Sequence, residues 1–219
     1  MEKILVVAPH PDDETLGCGG TLLRHRAEGA EVHWLLVTDE ADPARRAASP
    51  RRREVEAAAR HYGFAGVHAL ELPEIQLDAL PLSDIVAKIG AVVRTVEPET
   101  LYLPFPGDAH SDHAATFSAC VSCTKSFRYP FVRRIRVYET LSETEFGISP
   151  ITRPFQPNLF VDISEHLEGK IAAMSLFASQ IKPFPFPRSL EAVRAQAMLR
   201  GATVGRMAAE AFMTLRETI

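Results

Sequence analysis

Three cysteines in 219 residues are too few and too irregularly placed for a disulfide framework. A reducing compartment, the cytoplasm, is the expectation. No apolar stretch approaches the ~20 residues that span a bilayer, so no transmembrane segment is expected. No secretory leader is expected either: after Met1-Glu2-Lys3 the apolar run is short and stops at Pro9 and acidic residues. Positive charge is not in excess. The net charge of -4 argues against a nucleic-acid partner or an anionic membrane surface. No complete Gly-x-Gly-x-x-Gly loop occurs. Leu16-Gly17-Cys18-Gly19-Gly20 has the wrong spacing and follows acidic residues that would repel phosphate, so its glycines read as close-packing positions. Internal repeats and low-complexity tails are absent as well.

What is present is enough apolar material, 46% of residues, for a sizeable core. The length suits one domain over residues 1–219, with the last third as an extension of it. Apolar runs at 4–8, 32–37, 67–72 and 100–103 read as strands, the first two fully buried. Between and after them, 16–28, 51–62, 82–96 and 113–123 read as helices, with Gly63 a C-terminal cap. A polar loop with Pro43 and Pro50 precedes the second helix. Strand and helix alternating in this order predict an α/β fold, Rossmann-like, with a mostly parallel sheet flanked by helices. A C-terminal α/β extension follows, with strands at 134–138 and 159–162 and helices at 165–180 and 190–207. The Pro/Phe bend at 183–187 reads as a packed loop, the other reading being a substrate rim.

Two clusters bear chemistry. Ala8-Pro9-His10-Pro11-Asp12-Asp13-Glu14 follows the first strand, and Asp108-Ala109-His110-Ser111-Asp112-His113 follows the fourth. In a parallel sheet both loops open on one edge, where such folds bind ligands. Catalytic zinc usually takes three protein ligands and keeps a position for water. His10, Asp13 and His113 would give a His₂Asp set, leaving Asp12 and His110 as further participants. A carboxylate beside such a site can move a proton, and an imidazole opposite can stabilise an oxyanion. These parts suit hydrolysis of an amide or ester. Cys120-x-x-Cys123, on a helix with no second pair, reads as two small core residues.

Pro-His-Pro-Asp-Asp-Glu at 9–14 and His-x-Asp-His at 110–113 resemble the two motifs of the LmbE/PIG-L family of zinc-dependent N-deacetylases. Shorter segments extend the likeness along nearly the whole chain: Arg51-Arg52-Arg53-Glu54, residues 155–163, Ala178-Ser179-Gln180, Arg200-Gly201 and Ala209-Glu210-Ala211-Phe212. The resemblance implies that His10, Asp13 and His113 bind zinc, with Fe²⁺ or Co²⁺ as alternatives. It implies that Asp12 is general base and then general acid, and that His110 polarises the acyl oxygen. Asp112 is expected to orient His110 through a hydrogen bond, and Glu14 either to brace the site or to cap the next helix. Arg51, Asp39 and Asp108 are the candidate substrate contacts. Relatives often carry a glycine after Thr-Asp, whereas this chain has Thr38-Asp39-Glu40. The segment 138–146 is a candidate substrate-side loop. The implied reaction is removal of an N-acetyl group from a small-molecule amino sugar or glycoconjugate. The alternatives are an amidase acting on a thiol-sugar conjugate and a non-catalytic nucleotide- or sugar-binding module. Homo-oligomerisation stays open, with the Pro/Phe bend as the candidate interface.

Overall fold

Ile4, Val6 and Ala8 pack on one face of the first strand and Leu5 and Val7 on the other, all fully buried. A strand apolar on both faces needs a layer on each side, and the chain supplies helices for both. The computed structural model describes residues 1–40, 44, 49–148 and 154–219. In chain order these form β1 (Lys3–Ala8), α1 (Asp13–Ala27), β2 (Glu31–Asp39), α2 (Arg51–Tyr62), β3 (Gly66–Pro73), a 3₁₀ turn (Leu77–Ala79), α3 (Leu82–Val96), β4 (Thr100–Pro104), α4 (Ser111–Ser122), β5 (Arg134–Tyr138), β6 (Leu159–Asp162), α5 (Leu167–Ser175), α6 (Leu190–Thr203) and β7 (Ala209–Glu217). The loop expected at Pro43 lies outside the described residues.

One seven-stranded sheet has the order β3-β2-β1-β4-β5-β7-β6. The first five strands are mutually parallel, and β7 runs antiparallel between β5 and β6. The Rossmann-like, mostly parallel reading therefore holds, and the extension completes the same sheet. Leu16, Leu22, Tyr62, Met174 and Val193 fill one face with the Trp34 side of the sheet. Ile85, Ile89, Val93, Ala119 and Cys120 of α3 and α4 fill the other. The three cysteines are buried and free. No helix among the described residues is long and apolar enough to cross a membrane.

Besides α6, which ends at Thr203 and not at residue 207, three elements differ from the sequence reading. First, α1 begins at Asp13, not at residue 16, and runs through Gly17, Gly19 and Gly20. Those glycines are packing surfaces: a Cβ on Gly20 would lie 2.7 Å from Ile163 Cδ1, and one on Gly17 would collide with the Tyr138 ring. Second, the segment expected as one helix over 165–180 is helical only over Leu167–Ser175. Third, Ala209–Glu217 forms a strand that no periodicity had indicated. Its Glu210 carboxylate accepts from Lys170 Nζ at 2.6 Å, from Gly20 N at 2.9 Å and from Thr21 N at 2.7 Å. Lys170 Nζ also donates to Leu16 O at 2.8 Å. This buried pair thus enters α1 between Leu16 and Gly20, which are hydrogen-bond partners in a regular helix.

Candidate metal and catalytic site

The chain passes from β1 outward to β2 and β3, then returns to place β4 on the other side of β1. The carboxyl ends of β1 and β4 therefore border the switch point where open α/β sheets bind ligands. Register fixes the meeting: Ile4 opposes Thr100 and Val6 opposes Tyr102, so the loops leaving both strands open side by side. His10 lies in the first loop and Asp13 starts α1. His110 sits just ahead of α4, with Asp112 and His113 in its first turn. The rings of His10, His110 and His113 have centroids 4.3 to 5.7 Å apart.

Asp13 Oδ2 stands 3.3 Å from His10 Nδ1 and 3.3 Å from His113 Nε2. Two donors held about 2.1 Å from a tetrahedral ion stand roughly 3.4 Å apart, so this spacing fits one metal ion. His113 Nε2 is buried with no hydrogen-bond partner among the described residues, which again fits a lone pair aimed at a cation. His10, Asp13 and His113 form a buried group able to hold a metal. His10, His110 and Asp112 form a second such group, but the Asp112 oxygens are engaged. They accept from the backbone N–H of Ile75 at 2.8 Å and of Leu77 at 3.1 Å, and from His10 Nε2 at 3.0 Å.

Each imidazole of the first group is held by a carboxylate on its far nitrogen. Asp112 takes His10 Nε2, and Asp108 Oδ2 takes His113 Nδ1 at 2.7 Å. Such partners fix the tautomer and aim the other nitrogen at a metal. Asp112 does hydrogen-bond His110 as expected, but through its backbone: His110 Nδ1 accepts from the Asp112 N–H at 3.2 Å, which leaves the neutral ring's proton on Nε2. The Asp112 carboxylate, whose nearest oxygen is 3.9 Å from that nitrogen, holds His10 instead. Asp108 was expected to touch substrate, but its side chain is fully buried, and its second oxygen accepts from Thr144 Oγ1 at 2.6 Å.

Charge follows this geometry. Burial would lower the His10 pKa, but Asp112 and Asp13 raise it to about 9. Burial likewise opposes protonation of His113, but Asp13 and Asp108 lift it to about 10. Burial works against the Asp13 anion, yet His113 and His10 hold its carboxyl well below the usual range. Asp12 is pushed up to about 7 by burial and the Asp13 charge, against Arg188, His10 and Arg51. Its Oδ2 is buried and, among the described residues, unpartnered. His110 is lowered by burial and by the charge on His10, which keeps its ring neutral. Glu14 is buried, accepts from Asp12 N at 3.1 Å and from Thr15 Oγ1 at 2.6 Å, and so braces the loop.

At the mouth, Arg51 pairs with both Glu74 oxygens, at 2.5 and 3.2 Å. Asp39 ends β2, accepts from Glu40 N at 2.7 Å, and its charge bears on Arg51. In the expected substrate-side loop, Glu143 is half-buried, whereas Glu145 is exposed and accepts from Ser142 N. Sequence reasoning missed Glu74 and Arg188. The first has no motif of its own, and the second follows the Pro/Phe bend, which by itself names no chemistry.

The family model for PIG-L, GlcNAc-PI de-N-acetylase, matches residues 5–124. A diacetylchitobiose deacetylase of Thermococcus kodakarensis is 28% identical over 191 residues, covering 82% of this chain and 70% of its own. A 1D-myo-inositol 2-acetamido-2-deoxy-alpha-D-glucopyranoside deacetylase of a Nocardioides species is 27% identical, with 82% and 83% covered. Among solved structures, a conserved protein from Thermus thermophilus superposes with a TM-score of 0.78 at 29% identity, over 100% of this chain and 97% of that one. The match spans more than half of the chain and takes in both His/Asp clusters, and on that ground the chain belongs to the PIG-L family, described as GlcNAc-PI de-N-acetylase.

Proposed function

We propose that this protein is a metal-dependent hydrolase that removes the N-acetyl group from an amino sugar or glycoconjugate, releasing acetate and a free amine. The observation that carries the reading is Asp12 Oδ2, buried and unpartnered among the described residues, beside a buried His₂Asp group, with a neutral imidazole, His110, across from it. The names of the similar deacetylases from Thermococcus and Nocardioides support the substrate class.

His10, Asp13 and His113 would hold the ion, and zinc fits their nitrogen and oxygen donors, with Fe²⁺ and Co²⁺ as alternatives. When bound, a divalent metal supplies Lewis acidity and lowers the pKa of its water toward ~7. Asp12 takes the proton from the water that adds to the acyl carbon. It then delivers that proton to the amine nitrogen as the C–N bond breaks. A carboxyl poised near neutral pH suits both transfers. His110 donates Nε2–H to the acyl oxygen as negative charge develops there. Asp112 and Asp108 keep the two ligand imidazoles in the required tautomers. Arg51 and Asp39 face the sugar from the β2 side. The cytoplasm is the proposed location.

Metal analysis of the purified protein, with acetate release from N,N′-diacetylchitobiose and from an N-acetylglucosaminyl inositol, tests this reading. Stoichiometric metal, turnover that chelation removes, and recovery on adding Zn²⁺ are expected. Full turnover in a metal-free protein would overturn it.

A further inference from the structure

Glu143 and Arg188 stand at the mouth of the site with opposite charges and do not pair with each other. Among the described residues neither makes an ion pair with any other side chain, and the Glu143 carboxylate makes no hydrogen bond. Both are half-buried, where an unpaired charge is costly. Their place is fixed by contact. The Glu143 backbone O accepts from Ala109 N at 3.1 Å, and Thr144, next in the turn, donates to Asp108, which holds His113. Arg188 Nη1 donates to Ser142 Oγ at 3.2 Å in the same turn, and its Nε donates to Gln180 O at 3.3 Å. Ser142 adopts φ 74°, a conformation that a side chain resists and that surrounding contacts must hold. The guanidinium also lies 5.5 Å from the centre of the Phe186 ring. Arg188 is therefore anchored through Nε and Nη1, and among the described residues Nη2 is left to donate. Its charge bears on Glu143 and on Asp12, and the Glu143 carboxylate also senses His113 and Asp13.

We infer that Glu143 and Arg188 form a hydroxyl-reading subsite on the rim, taking adjacent hydroxyls of a saccharide, one as donor to Glu143 and one as acceptor from Arg188. An anionic group would suit Arg188 but meet the Glu143 carboxylate, and a cationic group would meet Arg188. A neutral polyol carries donors and acceptors together and satisfies both. Arg51, on the β2 side, already has both Glu74 oxygens, so the C-terminal rim supplies the open pair of charges. This inference rests on the proposed deacetylation and narrows its substrate to a neutral, hydroxyl-rich sugar.

The test uses metal-loaded protein and N,N′-diacetylchitobiose, with Arg188→Ala, Arg188→Lys and Glu143→Gln. Binding of the same sugar is measured by calorimetry in an Asp12→Asn background. Each rim change is expected to raise KM and Kd roughly tenfold, as losing a hydrogen bond to a charged group does, with kcat held within about threefold. Arg188→Lys keeps the charge and loses the planar fork, so it reports on the subsite if Arg188→Ala melts early. The double variant Arg188→Lys/Glu143→Gln should lose less than the two singles combined. Unchanged KM and Kd in a folded Arg188→Lys or Glu143→Gln protein would overturn the subsite. So would a preference for N-acetylglucosamine 1-phosphate that depends on Arg188 but not on Glu143. A wild-type protein that releases no acetate from any N-acetyl sugar would instead remove the proposed function itself.

Discussion

Asp12 occupies a backbone conformation that a side chain resists, with φ 113° and ψ -26° at the start of α1. Its carbonyl accepts from Thr15 and Leu16, and its N–H is taken by Glu14, so the surrounding bonds hold it there. Such strain costs on the order of 1–3 kcal/mol. Two variants separate strain from chemistry, since Asp12→Gly and Asp12→Ala both lose the carboxylate but only alanine keeps a Cβ. Asp12→Gly should be more stable than Asp12→Ala by about 1 kcal/mol in denaturant unfolding. Both should lower kcat roughly 10²–10⁴-fold with metal content unchanged, as removal of a general base does. Asp112→Asn and Asp108→Asn should instead weaken metal affinity about 10–100-fold, read by competition with a chelator. The candidate ligand set could be read from the two His/Asp clusters because each is local in sequence. The role of Asp112 could not. Its partner His10 lies 102 positions away, and Ile75 and Leu77 arrive from the exit of β3, so only the strand order brings these groups together.

At the scale of elements, parallel strands and their crossover helices declared themselves through long apolar runs and caps. Gly63, for example, ends α2 at φ 63°. β7 stayed hidden because Ala209-Glu210-Ala211-Phe212-Met213 is rich in good helix formers. Pairing with β5 and β6 overrides that preference. The Lys170–Glu210 pair fastens β7 to α1 and α5, and both side chains are almost wholly buried. Lys170→Met should cost about 3–5 kcal/mol, because it strands a buried carboxylate. The double change Lys170→Met/Glu210→Gln should recover part of that loss in urea unfolding. Equal losses in the single and double variants would show that the pair does not act as a unit.

For the whole molecule, the candidate metal site couples pH to stability with a definite sign. His10 and His113 ordinarily titrate near 6.5 and are raised to about 9 and about 10. Below about 6.5 the folded and unfolded chains both hold these protons, and the metal-free fold keeps the full benefit. As pH climbs through 9 and 10 the folded chain loses them too, and the benefit is gone. Metal-free protein should therefore melt at progressively lower temperature from pH 6.5 to 10. Metal binding needs neutral imidazoles and displaces the same protons, so the rise in melting temperature on adding Zn²⁺ should grow over that interval. A metal-induced rise that is flat with pH would place the ion elsewhere. The proposed ligands, base and orienting carboxylates all fall between residues 10 and 113, inside the family match, whereas Glu143 and Arg188 lie beyond it. A chimera with a relative's C-terminal half should therefore change its preference among sugars before it loses its reaction.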